Sequence, residues 1–202
     1  MNKLREGSTS PGTFAQIESS PHSLVVDIDG TLSRRDIFLS MLVSIALRSP
    51  RELLNCVRII STRGVPALKT YLASSQTFSW ESIPKNEGLI DYLEKQSVKG
   101  KKIFLSSGAA EKHVETVAKN LSFVSGYWGT TTIFNNTGIK KGELLAANLG
   151  IGEFDYIGDS RSDLKVAKFA HHTALVAKEP VLRNVWRELR PHHWIKLSLI
   201  HI

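Results

Sequence analysis

The sequence predicts an α/β protein with a Rossmann-like three-layer core, a parallel sheet, and a helical cap inserted after the first strand. Short apolar runs alternate with amphipathic helices along residues 101–178, which is typical of a parallel sheet with right-handed crossovers. Residues 32–100 contain no strand pattern and separate the first strand from the second. We therefore expect residues 21–31 and 101–178 to form the core and residues 32–100 to form the cap.

The first predicted strand is the apolar run 24–26. Two carboxylates, Asp27 and Asp29, follow it at the edge where open α/β sheets bind ligands. Such a pair can hold a divalent cation, or supply one nucleophile and one proton carrier. Gly30 permits a sharp turn close to a ligand, and Thr31 offers a hydroxyl and an amide to a phosphate oxygen. The alternative is a local turn in which Asp29 or Thr31 only caps the next helix.

The cap is predicted to consist of helices. Asp36 can cap a very apolar helix over residues 37–47, and further helices are predicted over residues 51–61 and 66–75. An amphipathic helix then ends near Gly100. The first part of the cap carries six arginines and Lys69 against only Asp36 and Glu52. This suits an anionic substrate or an anionic membrane surface, although a solvated helix face is an ordinary alternative.

Strands and helices alternate after the cap. The predicted elements are strand 103–105, helix 110–121, strand 125–132, helix 141–149, strand 154–157, helix 164–170 and strand 173–176. Because the carboxyl ends of parallel strands meet at one edge of a sheet, residues that follow different strands can form one site there.

Polar residues follow three of the predicted strands. Besides the first pair of carboxylates, they are Ser106, Ser107 and Gly108 after the second strand, and Asp159 and Asp163 after the fourth, with Lys141 at the start of the preceding helix. Carboxylates without histidine or cysteine suit Mg²⁺ better than zinc, and Mg²⁺ with a lysine and a serine hydroxyl can bind a phosphate. Each element alone is also compatible with a capping turn or a surface charge.

With these motifs in this order, residues 23–177 resemble the haloacid dehalogenase superfamily, in its helical-cap branch of phosphoserine phosphatase-like enzymes. The resemblance implies a Mg²⁺-dependent phosphatase that hydrolyses a phosphomonoester through an aspartyl-phosphate intermediate. In this scheme Asp27 is the nucleophile, and Asp29 protonates the leaving alcohol and then activates water. Dehalogenation is disfavoured, since dehalogenases usually lack a proton carrier at the position of Asp29.

The same resemblance implies roles for the other motif residues. Ser106 would bind a phosphate oxygen, with Ser107 as second choice, and Lys141, preferred over Lys140, would stabilise the transition state. Thr31, Ser107 and Gly108 would complete the phosphate site. Mg²⁺ would be held by Asp27, the backbone carbonyl of Asp29, and Asp159, while Asp163 would orient Lys141 or the metal shell.

The composition limits the class of partner and the compartment. The chain has 202 residues, a net charge of +7 and one cysteine, Cys56. The charge suggests an acidic partner, for which we expect a small phosphorylated substrate, with an anionic membrane surface or a polyprenyl lipid as further candidates. Nucleic acid has only the net charge in its favour and is not expected. A single cysteine excludes an internal disulfide and fits a cytoplasmic location. Nothing in the sequence indicates the oligomeric state.

Three terminal segments carry separate expectations. Residues 1–20 contain no signal-peptide pattern and are expected to be a disordered leader. Residues 179–196 combine arginines with tryptophans and resemble the approach to the first span of UbiA-type prenyltransferases. That resemblance implies an alternative function, the soluble front domain of a membrane polyprenyl (phosphoribosyl) transferase, acting on a lipid-linked or sugar phosphate at the cytoplasmic face of the inner membrane. Residues 197–202 read back as a transposon-end sequencing adaptor, so the natural chain is expected to continue past Lys196.

Overall fold

A computed structural model of the chain describes residues 12–75 and 78–176. Five parallel strands form one sheet, and they are β1 (Ser23–Val26), β2 (Ile103–Ala110), β3 (Val124–Thr130), β4 (Phe154–Gly158) and β5 (Thr173–Leu175). Their order across the sheet is β3-β2-β1-β4-β5. The predicted α/β fold with a parallel sheet is confirmed, and β1 lies at the centre of the sheet.

Six α-helices accompany the sheet in the described part of the chain. They are α1 (Gly12–Ser19), α2 (Ile37–Arg48), α3 (Pro50–Ser75), α4 (Glu87–Val98), α5 (Glu111–Asn120) and α6 (Gly138–Leu149). Two short 3-10 helices cover Trp80–Ser82 and Asp163–Lys168, and the second replaces the α-helix predicted over residues 164–170. The largest apolar cluster of buried side chains joins β1 and β2 to α2, α3, α4 and α5.

The two main cap helices follow the predicted pattern. Asp36 caps α2, since its side chain accepts a hydrogen bond from the backbone N–H of Leu39 at 2.8 Å. The helices predicted over residues 51–61 and 66–75 are the two halves of α3, which bends at Gly64. Gly64 has φ 80° and ψ 177°, a backbone conformation that residues with a Cβ atom rarely adopt. Each half of α3 is therefore helical, and their directions differ.

The first helix corrects the expectation for the amino terminus. The prediction of a disordered leader over residues 1–20 is wrong for residues 12–19, which form α1. Ile17 is fully buried, and the ring of Phe14 packs edge-on against Tyr92 of α4 with centroids 5.8 Å apart. These apolar residues, three apart, give the segment one face that packs, despite its small and polar neighbours. Residues 1–11 lie outside the described part of the chain.

The remaining terminal predictions concern residues that the structure does not describe. Residues 179–196 and 197–202, with the predicted membrane approach and the predicted adaptor-derived end, lie outside the described ranges. Within residues 12–75 and 78–176, no helix is both long enough and apolar enough to cross a membrane. The division of the chain into core and cap stays a prediction.

Candidate active site

The candidate site lies at the carboxyl edge of the sheet, where β1 ends between β2 and β4. The backbone N–H of Asp27 donates to the carbonyl of Ile157 at 2.9 Å, so pairing with β4 continues one residue beyond β1. This pairing holds Asp27 beside the loop that follows β4. The predicted meeting of residues from separate strands therefore occurs in the structure.

Lys141 is the centre of a buried polar cluster. Its ammonium nitrogen lies 2.8 Å from Asp27 Oδ1, 2.9 Å from the Tyr156 hydroxyl and 3.2 Å from Asp163 Oδ1. All four residues have 4% or less of their surface exposed. An ammonium group has three N–H donors, and here each has a protein acceptor. The sequence prediction that Lys141, not Lys140, faces the carboxylates agrees with this geometry, since Lys140 is exposed.

Asp163 holds the loop after β4 in place. Its Oδ1 accepts hydrogen bonds from the Tyr156 hydroxyl at 2.8 Å and from Lys141, and its Oδ2 accepts from the Ser160 hydroxyl at 2.5 Å. The backbone N–H groups of Asp159 and Ser160 also donate to Oδ2. Although burial opposes it, attraction by Lys141 and these hydrogen bonds hold the pKa of Asp163 below its usual value. Both oxygens of Asp163 are thus occupied by protein donors.

The two carboxylates that follow β1 have different surroundings. Burial raises the pKa of Asp27 to about 8, against the attraction of Lys141. Burial and the nearby charge of Asp36 raise the pKa of Asp29 to about 6, while hydrogen bonds from Ile37 and Ser107 oppose the rise. A bound divalent cation would lower both values. Asp29 is poised to exchange a proton near neutral pH.

Ser107, not Ser106, contacts the carboxylates. The Ser107 hydroxyl donates to Asp29 Oδ2 at 3.0 Å, and the backbone N–H of Ile37 donates to Asp29 Oδ1 at 2.9 Å. The Ser106 hydroxyl is hydrogen-bonded at 3.1 Å by the amide of Asn136, which also reaches the backbone carbonyls of Ser107 and Trp128. The sequence preferred Ser106 for the phosphate, and these contacts favour its neighbour.

Thr31 and Gly30 belong to the turn that follows β1 at the site. The Thr31 amide closes a turn by donating to the carbonyl of Ile28 at 3.2 Å. Its hydroxyl is buried and makes no hydrogen bond to any residue that the structure describes, so it can donate to a ligand. Gly30 has φ 78°, and a Cβ there would lie 1.7 Å from Asp159 Oδ2, so only glycine fits.

Three carboxylates of the site lie close enough together to hold a cation. Asp27, Asp159 and Asp163 each offer a carboxylate oxygen within 4.8 Å of the others, and this is the cluster of potential metal ligands found in the described ranges. The donor set contains oxygen alone, which fits Mg²⁺. Asp27 and Asp159 belong to the set that the sequence suggested, whereas both oxygens of Asp163 already accept hydrogen bonds from the protein.

Three residues of the site were missed at the level of the sequence. Tyr156 lies inside a predicted buried strand, Asn136 lies between the predicted strand 125–132 and the predicted helix 141–149, and Lys69 lies in the cap, so none of them was a candidate. In the structure the Lys69 ammonium donates to the Gly108 carbonyl at 2.6 Å and lies 3.4 Å from Asn135 Oδ1. A tyrosine in a buried strand, two residues before a Gly-Asp pair, was the available signal for Tyr156, because a buried phenol hydroxyl usually finds a hydrogen-bond partner.

The comparisons with known proteins agree with this architecture. No protein-family model matches the chain. An uncharacterized protein, y4nM, of Sinorhizobium fredii is 25% identical over an alignment of 201 positions, which covers 89% of this chain but only 39% of that protein. The chain therefore spans about two fifths of the length of this relative. None of the comparisons supports the resemblance of residues 179–196 to UbiA-type prenyltransferases.

Solved structures share the fold at low sequence identity. A phosphoserine phosphatase, solved as a phospho-aspartyl intermediate analogue, superimposes with a TM-score of 0.52 and 16% identity, over 81% of this chain and 90% of that one. A HAD family hydrolase of Salmonella enterica serovar Typhi superimposes with a TM-score of 0.50 and 16% identity, over 81% of this chain and 66% of that one. The parallel sheet and the inserted helices thus give this chain the fold of haloacid dehalogenase-type hydrolases such as phosphoserine phosphatase.

Proposed function

We propose that the chain is a Mg²⁺-dependent phosphatase that hydrolyses a small phosphomonoester through an aspartyl-phosphate intermediate. The observation that carries this proposal is the unequal setting of two adjacent carboxylates: Asp27 is bonded to Lys141, and Asp29 is bonded to Ser107 with a pKa raised to about 6. Two titratable groups with different environments are the usual arrangement for separate nucleophile and acid/base roles.

In the first step a carboxylate oxygen of Asp27 attacks phosphorus, and the bond from phosphorus to the ester oxygen breaks. Lys141 engages Asp27 Oδ1 at 2.8 Å, so we assign the attack to Oδ2. Asp29 gives its proton to the departing alkoxide, which leaves as an alcohol. The products of this step are the free alcohol, ionised Asp29 and phosphorylated Asp27.

In the second step ionised Asp29 takes a proton from water as the water oxygen attacks phosphorus. The bond from phosphorus to Asp27 breaks, which restores the Asp27 carboxylate and releases inorganic phosphate. Asp29 is again protonated, so the cycle balances without any further reactant. Burial favours the acid form of Asp29 that this cycle needs, since it raises the pKa of Asp29 to about 6, above the ordinary value of an aspartate.

The other residues of the site bind and orient. Lys141 offsets negative charge beside the phosphoryl group, and the Thr31 hydroxyl, which has no hydrogen-bond partner among the described residues, is placed to donate to its oxygens. The Ser107 hydroxyl can do the same only when Asp29 is protonated and donates to Ser107 Oγ instead. Asp27, Asp159 and the backbone carbonyl of Asp29 would hold Mg²⁺, which when bound offsets the charge of the phosphoryl oxygens. Lys69 of the cap lies against the carboxyl end of β2, which helps to exclude water.

The experiment is hydrolysis of an aryl phosphate by the full chain, with and without Mg²⁺. We expect activity that a chelator removes and that Mg²⁺ restores. Asp27→Asn should lower kcat by roughly a thousandfold or more, because it removes the nucleophile. The matched control is Asp91→Asn, which changes an exposed carboxylate on α4 and should leave kcat unchanged. Activity that survives Asp27→Asn would refute the proposal.

Trapping the intermediate tests the mechanism separately. After acid quenching of a reaction with labelled phosphomonoester, the label should remain on the chain and be released by hydroxylamine, which cleaves acyl phosphates. Asp27→Asn should carry no label. Hydrolysis without a labelled chain would indicate direct attack by water, and the Asp27 assignment would then be wrong.

A further inference from the structure

Exposed apolar side chains concentrate on the two main cap helices. Eleven large apolar residues are exposed in the described ranges, and six of them lie in α2 and α3. The five used below are Leu39 (51% exposed), Val43 (49%), Leu54 (71%), Val57 (54%) and Ile60 (41%). A concentration of this kind, outside the candidate active site, is typical of a surface that contacts another apolar phase.

The spacing of these residues makes a continuous stripe on α3. At about 100° per residue, Leu54, Val57 and Ile60 occupy one arc of roughly 120° on the first half of the helix. Arg51 and Arg58 are seven residues apart and therefore lie one above the other, on one flank of that arc. Cys56, which lies about 160° round the helix from Leu54, is 2% exposed and packs in the core. The stripe thus faces solvent beside a row of arginines.

Helix α2 repeats the pattern on a smaller scale. Leu39 and Val43 are four residues apart and share one face, while Met41 and Ile45 of the same helix are buried. We name Leu39, Val43, Leu54, Val57, Ile60, Arg51 and Arg58 the cap surface.

The charge of this region is positive. Arg51, Arg58 and Arg63 are exposed on α3. Two carboxylates lie nearby in sequence, Asp36 at the start of α2 and Glu52, which accepts a hydrogen bond from the Tyr71 hydroxyl at 2.7 Å, so the arginines outnumber them. Apolar residues flanked by arginines, with little negative charge, match the surface of an anionic bilayer.

We propose that the cap surface docks on an anionic lipid surface. Its apolar side chains would enter the boundary between headgroups and acyl chains, and Arg51 and Arg58 would reach the phosphates along their aliphatic stems. A second copy of the chain is a poorer occupant, because a two-fold contact through this surface would bring the arginines of both copies together. The proposal does not depend on the proposed phosphatase activity.

The test is co-sedimentation of the full chain with two kinds of vesicle, phosphatidylcholine alone and phosphatidylcholine mixed with phosphatidylglycerol. We expect binding to the mixed vesicles and little to the neutral ones. Leu54→Gln combined with Val57→Gln, and separately Arg51→Gln combined with Arg58→Gln, should each weaken binding about tenfold or more. The matched control is Val98→Gln with Ile133→Gln, which removes two apolar side chains that are 85% and 96% exposed elsewhere.

Several results would overturn the proposal. These are absence of binding to anionic vesicles, equal binding to neutral ones, or binding by the cap variants as strong as that of the unchanged chain, which would assign the contact to another segment. Sedimentation velocity without lipid tests whether a second copy of the chain binds the cap surface instead. A dimer that Leu54→Gln with Val57→Gln abolishes would also overturn the proposal. Thermal unfolding confirms that each variant folds, and Leu39→Gln with Val43→Gln is the replacement if one does not.

Discussion

Tyr156 links Lys141 to Asp163, and the proposed chemistry depends on this contact. Its hydroxyl accepts from Lys141 at 2.9 Å and donates to Asp163 Oδ1 at 2.8 Å, inside the fully buried strand β4. The phenol oxygen fixes the ammonium between two carboxylates without adding a charge. We interpret Tyr156 as a positioning residue that acts through Lys141.

Replacing Tyr156 by phenylalanine should lower kcat about tenfold and leave KM within about twofold, because Lys141 loses an acceptor while the phosphate ligands stay in place. Steady-state kinetics with an aryl phosphate measure this split. Tyr92→Phe is the matched control, since the Tyr92 hydroxyl is buried and has no hydrogen-bond partner among the described residues. Unchanged kcat, or a rise in KM alone, would contradict the assignment.

The two adjacent serines lead to a prediction about pH. The Ser107 hydrogen bond lowers the pKa of Asp29, so Ser107→Ala should raise that pKa further. The acid form of Asp29 is the one needed for attack on substrate. The alkaline limb of kcat/KM should therefore move to higher pH in Ser107→Ala and stay in place in Ser106→Ala. A profile that shifts in Ser106→Ala instead would return the role to Ser106.

At the scale of single residues, the sequence identified the groups that sit at strand ends. Asp27, Asp29 and Asp159 were predictable because the carboxyl edge of a parallel sheet is a known place for ligands. The choice between Ser106 and Ser107 was not, since side chains alternate across a strand and the exact end of β2 decides which hydroxyl faces Asp29. Asn136 was not predictable either, because the residues that it contacts are distant in sequence and only the fold brings them together.

Among the elements, α3 connects the cap to the core. The Lys69 side chain lies on its second half, and its ammonium donates to the Gly108 carbonyl while lying 5.7 Å from the centre of the Phe38 ring. Burial lowers the pKa of Lys69, against the attraction of Asp29 and Asp36. One side chain thus contacts α3, α2 and the carboxyl end of β2.

Lys69→Met should raise KM about tenfold and speed amide exchange in the second half of α3, because the cap loses a charged hydrogen bond to the core. Kinetics and hydrogen–deuterium exchange measure the two effects. Lys95→Met on α4 is the control, since that lysine is exposed. If KM and exchange are both unaltered, Lys69 is a surface charge with no influence on the cap.

Element boundaries show where sequence patterns are weakest. Helix α2 was predictable from its capping residue and its apolar content, and Gly64 marked the break in α3. Helix α1 was missed because its packing face consists of Phe14 and Ile17 alone, among small and polar residues. Strand β2 runs past its apolar part to Ala110, with an irregular register between Ser106 and Ala110 that no periodicity indicates.

On the scale of the whole molecule, stability should depend on pH through His113. This residue is 3% exposed, its ring lies 4.6 Å from that of Phe78, and its Nε2 has no hydrogen-bond partner in the described part of the chain. Burial lowers the pKa of His113 to about 4. The unfolded chain, with an ordinary pKa near 6.5, therefore binds the proton more readily than the folded one.

Because His113 stays neutral in the fold, its contribution is complete above pH 6.5 and is lost as pH falls towards 4. The loss should reach about 3 kcal/mol. Chemical denaturation at several pH values measures it. His113→Leu should flatten the curve in this window, whereas the exposed His171→Gln should not. Parallel curves for the unchanged chain and His113→Leu would contradict the assignment.

The overall architecture was predictable from the alternation of strands and helices. The order of the strands across the sheet was not predictable from that alternation. Placing β1 between β2 and β4 brings together groups from positions 27, 107, 141 and 159, which are far apart in sequence. Burial of charged groups, the bend of α3 and the exposure of its apolar stripe are properties of packing, and a linear pattern does not contain them.

The ammonium of Lys141 has as many acceptors as it has donors, and this affects the timing of the proposed cycle. When Asp27 Oδ2 is esterified, Oδ1 becomes a carbonyl oxygen and holds Lys141 less strongly than a carboxylate does. The cation is then available to the phosphoryl oxygens for as long as the intermediate lasts. Hydrolysis returns the charge to Asp27, which recaptures Lys141 and weakens the hold on inorganic phosphate. Asp27, the residue that is phosphorylated, thereby governs both how strongly Lys141 binds the phosphoryl group and when inorganic phosphate is released.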